Sequence, residues 1–156
     1  MLKSLERLTL SAENRYATPE ELKFLRQYFS TVELRLSAYT KIRDAETKII
    51  ECLVTKMRQL QPHIFEVNAQ DQSQKCRRDL SIVLRSTSAA MLANNLESLK
   101  EHLLLWQKTL IKAFQEKQIA AMAYTQMPEI IEQFVTPEEL ALVKPLLQLN
   151  QAVLAY

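Results

Sequence analysis

Not one glycine occurs in this chain of 156 residues. Glycine reaches positive φ without steric cost, so phosphate-cradling loops, tight hairpins and parallel sheets all lean on it. Its absence argues against every Gly-rich nucleotide motif and in favour of an all-helical chain. Cysteine is nearly as scarce: Cys52 and Cys76 alone make neither a disulfide framework nor a metal-ligand cluster. A reducing cytoplasm is the default compartment for such a chain. A field of one sign is missing too, since the net charge is +2 with both signs interspersed. Nothing therefore draws in nucleic acid or anionic lipid. No apolar run approaches bilayer-spanning length, so no membrane insertion is expected. The first ten residues, "MLKSLERLTL", alternate charges where a secretory signal would be uniformly apolar.

What is present is a hydrophobic share of 47% against 24% charged, enough to build one domain around a sizeable core. Residues 2–10 place Leu2, Leu5 and Leu8 on one helical face. A polar loop, "SAENRYA", leads to "TPEEL", with Thr18 as N-cap, Pro19 at the first helical position and Glu21 closing a capping box. The long pattern that follows runs from Leu22 and Leu25 through Phe29 and Leu36 to Met57, and predicts a break near Ser30–Thr31 or Asp44. It ends before Pro62, which disfavours α conformation at Gln61. "EVNAQDQSQ" reads as a loop, Asn94-Asn95 as a turn, and a second "TPEEL" at Thr136–Leu140 as the cap of the last helix. Two short arm-like helices and about six packed ones are expected, in a globin-like arrangement.

The stretch "KCRRDLSIVLR" carries the chemistry. On a helix Cys76 and Asp79 lie three apart, on nearly one face, with Leu80 and Val83 extending it and Arg77 and Arg78 at its edges. A ligand meeting all of these would be elongated, with N–H groups for the carboxylate, an acid for arginine and an electrophilic carbon for sulfur. From spacing alone, a small packing cysteine beside surface salt bridges is the simpler account. His63 and His102 are distant in sequence from the thiol, so no acid–base set for an enzyme converges. His102 reads as a half-exposed structural residue, and Cys52, in "IIECLVTKM", as a core thiol.

The run "KCRRDLSIVLR…AAMLANN" resembles the chromophore-attachment helix of the phycobiliproteins, the bilin-bearing antenna subunits of cyanobacteria and red algae. The matching positions are Cys76, Arg78, Asp79, Leu80, Leu84, Arg85 and Ala90–Ala93. Upstream, "RYATPEELKFLRQYFSTVELRLSAYTKIRDAETKIIECLV" is similar to the family's "YFSTGELR" segment and the long helix after it. The resemblance covers almost the whole family length and is nearest the allophycocyanin branch. It implies a single globin-like domain over residues 1–156, with an interface arm of two extra helices over 1–30 and a core over 31–156. It further implies a thioether from Cys76 to phycocyanobilin or a related bilin, pyrrole N–H groups bonded to Asp79, and a propionate paired with Arg78. A cytoplasmic location at the thylakoid face follows, in or near the phycobilisome.

The departures are as specific. The loop before Cys76 lacks the family's glycines and arginines, Ile82-Val83 replaces an aromatic pair, and Ala89 stands for a tyrosine. Arg77, Ile82 and Val83 are therefore expected in a thinner surround of the pigment. The family's interface aspartate falls on Ser11, with Glu13 two residues on, and its arginine partner on Arg85. The face of Leu2, Leu5, Leu8, Leu22 and Leu25 still needs a cover, so self-association or a phycobiliprotein-like partner is expected there. Two functions remain open. One is a divergent light-harvesting subunit with a covalent bilin. The other is a non-pigmented or weakly pigmented adaptor in assembly, turnover or regulation of the photosynthetic apparatus, with phycobilisome or photosystem components as partners.

Overall fold

A computed structural model describes residues 2–67 and 69–156, apart from the side chains of Leu2 and Lys3. The interface expectation for Leu2 lies outside these described residues. The chain is helical almost throughout: α1 (Leu2–Ser11), α2 (Lys23–Phe29), α3 (Val32–Leu60), α4 (Ser73–Leu92), α5 (Leu96–Leu99), α6 (Leu105–Ala113), α7 (Lys117–Glu132) and α8 (Pro137–Leu154). A π turn, Lys100–Leu104, joins α5 to α6 without a break. Between α3 and α4 stands a small antiparallel hairpin, β1 (Glu66–Val67) and β2 (Gln70–Asp71). This corrects the loop expected there and the expectation of an all-helical chain. Ala69 takes the left-handed conformation, at φ 61°, that glycine would usually supply.

The break anticipated in the long pattern falls at the first of its two candidate places, Ser30–Thr31, and α3 passes through Asp44 without interruption. α3 runs for 29 residues, about 43 Å at 1.5 Å per residue. After the two short helices of the arm, six α-helices, α3 to α8, follow among the described residues, as expected. α3 stops as Pro62 requires, with Gln61 extended at φ −147°, ψ 99°. Its apolar stripe of Ala38, Ile42, Ile49, Leu53 and Met57 is fully buried against α4, α7 and α8. Cys52 falls on the opposite side of α3 and is exposed. Its apolar neighbours misled the sequence reading, because successive helix positions are about 100° apart and residues beside a core residue need not share its face.

Polar contacts fix the helices in place. Thr136 and Glu139 form the capping box expected for α8. The Glu139 carboxylate, only 2% exposed, also accepts 2.8 Å bonds from the Lys41 ammonium and a 2.6 Å bond from the Ser37 hydroxyl, tying α8 to α3. In the first "TPEEL" the same two bonds form between Thr18 and Glu21. They close a turn there, and regular helix begins only at Lys23. Arg35 and Tyr28 donate to the carbonyls of Met91 and Leu92 at the end of α4, where a cation complements the helix dipole. Apart from such points, α1 and α2 pack lightly on the rest.

Candidate functional site

α4 begins where Asp71 accepts bonds from the Ser73 N–H and hydroxyl, at 2.8 and 3.0 Å. It ends at Asn94, whose φ of 49° turns the chain while the Asn95 N–H bonds back to the Ala90 carbonyl at 2.9 Å. Asn95 then caps α5 by accepting from the Ser98 N–H. The two asparagines thus send the chain back along α4, so that α5, the π turn and α6 lie antiparallel beside it. α6 closes in the same way: Gln115 takes φ 60°, and the Glu116 N–H bonds to the Ile111 carbonyl at 3.0 Å. That second closure carries Glu116 to the start of α4, beside Cys76.

The result is a cleft of about 330 Å³, mouth included, where Cys76, Asp79 and Leu80 of α4 face α6 and α7. The thiol and the carboxylate one turn later converge on one space, as their spacing suggested. Burial pushes the Cys76 thiol up to about 12, with the carboxylates of Asp79 and Glu116 adding to the effect and Arg77 and Lys75 opposing it. The thiol is therefore protonated at neutral pH. Glu116 is held by Lys75 at 2.7 Å, and the same ammonium lies 3.6 Å above the Phe114 ring.

The other expected residues are placed less centrally. Arg78 is 69% exposed and reaches back to Asp79 at 3.5 Å, the limit of a hydrogen bond. Ile82 is exposed and Val83 is wholly buried in the core, and neither lines the cleft. Arg85 makes a bidentate pair with Glu46 at 2.7–3.0 Å within the same chain. Leu5, Leu8, Leu22 and Leu25 are half-buried and Glu13 is exposed. His102 is exposed, with Nδ1 3.1 Å from the Ser98 carbonyl oxygen.

Gln107, Glu116 and Tyr124 line the cleft and were missed by the sequence reading. They lie 31 or more positions after Cys76, so only the fold brings them to it, and no local spacing announces them. A second, wider groove of about 890 Å³ opens further along the same seam, between Ser86, Ala89, Ala93 and His102. From Cys76 to Ala93 is 17 residues of α4, about 25 Å. The two hollows lie against successive parts of α4 and share no lining residue, and small side chains line the second.

The class is that of a mainly helical domain with a lightly packed N-terminal arm, in which Cys76 and Asp79 line one cleft between helices. A family model for phycobilisome proteins matches residues 8–153, and the chain belongs to that family. No curated protein matches the chain significantly. Among the described residues no helix is long and apolar enough to cross a membrane.

Proposed function

We propose that this protein is a divergent phycobiliprotein-type subunit that carries an open-chain tetrapyrrole on Cys76 and takes part in excitation transfer in or near the phycobilisome. The observation that carries this reading is that Cys76 and Asp79, one helical turn apart, line the same cleft, with a second groove against the later part of α4. The hollow at Cys76 is too small to take four rings. The remaining rings would run outward along the seam toward Ala89 and Ala93. Asp79 accepts from pyrrole N–H groups through charge-assisted bonds. Arg78, at the exposed edge, meets a propionate.

Attachment is an addition that needs no leaving group. The Cys76 S–H adds across an exocyclic C=C of the pigment: a C–S bond forms, the π bond is consumed, and the proton ends on the adjacent ring carbon. A thiol held at about 12 is a poor nucleophile at neutral pH, so attachment without an assisting enzyme is slow. The lightly packed arm of α1 and α2 serves as the contact for a phycobiliprotein-like subunit or a second copy, at the cytoplasmic face of the thylakoid.

A second reading, a non-pigmented adaptor of the same fold, draws on the small volume at Cys76 and the outward stance of Arg78. Co-expression with enzymes that make phycocyanobilin separates the two. Zinc-enhanced fluorescence on the denatured band, lost in Cys76→Ala, supports the pigment reading. A dark band from a well-folded wild-type chain overturns it in favour of the adaptor.

A further inference from the structure

The floor of the Cys76 cleft is polar where helix packing would ordinarily put leucine. Gln107 is 5% exposed and Tyr124 is 3% exposed, and both line the cleft. Neither the Gln107 carboxamide nor the Tyr124 hydroxyl takes part in a hydrogen bond with another described residue. Asn150 Oδ1, elsewhere in the core, is the sealed side-chain polar atom without a partner among the described residues. The polar atoms of Gln107 and Tyr124 are therefore not sealed; they open on the cleft. Two groups so deeply set and without protein partners mark a place for something else to bond.

We propose that Gln107 and Tyr124 are the ligand-recognising floor of this cleft, and that the group they take is a lactam. A carboxamide presents donor and acceptor side by side, and a phenol can do either. A cyclic amide, whose N–H and C=O point the same way, pairs with the carboxamide through two parallel bonds. Leu80, Ile111 and Ile119 supply aliphatic walls for a flat five-membered ring. Asp79 and Glu116 on the rim favour an N–H-bearing ligand and oppose an anionic one. This rests on and deepens the bilin reading, because each end ring of an open-chain tetrapyrrole is a lactam. The ring bound to Cys76 is the one that would reach this floor. Gln107 and Tyr124 would then set which end of the pigment meets the sulfur and how its first ring lies.

The test uses the full chain with Cys52→Ser, so that Cys76 is the sole thiol. Its alkylation by iodoacetamide is followed with pyrrolidinone, a five-membered lactam, at about 0.1 M. Protection of roughly fivefold is expected, following one plus the ratio of ligand to dissociation constant. Cyclopentanone, which keeps the ring and carbonyl but lacks the N–H, should protect clearly less. Gln107→Leu should abolish the difference without lowering Tm, since it removes an unpartnered polar group. Tyr124→Phe, a smaller change, should weaken it. Equal protection by the two ring compounds, or full lactam protection in both variants, overturns the proposal. Phycocyanobilin separates this from the reading above. Lactam protection dependent on Gln107 in a chain that takes no pigment sinks the bilin reading and leaves this one standing. Pigment attached equally well by wild type and both variants does the reverse.

Discussion

The Lys75 ammonium lies 2.7 Å from the Glu116 carboxylate and 3.6 Å above the Phe114 ring, pinning the turn after α6 across the start of the helix that carries Cys76. This lysine thus ties the turn after α6 to the start of α4 and offsets part of the negative charge that faces the thiol. Glu116→Gln weakens this tie and removes one of the carboxylates that raise the thiol. Both changes act in the same direction, so Cys76 should alkylate roughly three- to tenfold faster at pH 8, a fraction of a unit to one unit of pKa. An unchanged rate would show that Glu116 neither gates nor biases the thiol.

The pH dependence of the same reaction has a fixed sign. A cysteine raised to about 12 loses its proton only far above neutrality. Alkylation of Cys76 should keep rising through pH 10 without a plateau, and Asp79→Asn should speed it at every pH below that. Exposed Cys52 should be modified first in the wild-type chain. Quantitative peptide mass spectrometry over a pH series reads all three, and a plateau at ordinary thiol pH would refute the buried placement of Cys76.

Glu139 governs the acid limit of stability. Burial opposes its charge, yet bonds from Lys41, Ser37 and the Thr136 N–H lower it from 4.5 to about 2. A depressed carboxylate contributes stability that is fully present above its unfolded pKa and lost as pH falls through the folded one. Wild-type stability should therefore fall between pH 4.5 and about 2. Glu139→Gln should cost about 1–3 kcal/mol at pH 7 and flatten that acid limb. Chemical denaturation across the pH range measures it.

The missing glycines leave strain behind. Ala69 and Gln115 both sit in the left-handed region, at φ 61° and 60°. Replacing either by glycine should stabilise the chain by about 1 kcal/mol. A loss of stability in both would mean that their side chains contribute more than their backbone costs.

The arm gives a fifth prediction. Leu5, Leu8, Leu22 and Leu25 are half-buried, Phe29 is exposed, and α1 and α2 pack lightly on the core. A chain lacking residues 1–20 should lose oligomeric mass in light scattering. Retention of the native mass would move the interface elsewhere.

Much of this was legible before any coordinates, and the reasons differ by residue. The helical class was readable because glycine is absent and because caps such as Thr136 with Glu139 use local bonds that a pentapeptide contains whole. Asn94 announced its own turn for the same reason. Cys76 and Asp79 were readable because a helix brings positions three apart onto one face. Cys52 was misread because apolar neighbours fix the face of a helix only when its phase is known. The hairpin at Glu66–Asp71 was hidden because it turns without glycine. Gln107, Glu116 and Tyr124 were out of reach, since they meet Cys76 only after α4 has turned at Asn94 and α6 at Gln115.

The most direct test of the account is peptide mapping of the chain after co-production with phycocyanobilin-forming enzymes and an attachment lyase. The account predicts the pigment mass on the peptide that contains Cys76, with the Cys52 peptide unmodified. Pigment confined to Cys52, or no adduct on either thiol of a folded chain, would contradict it.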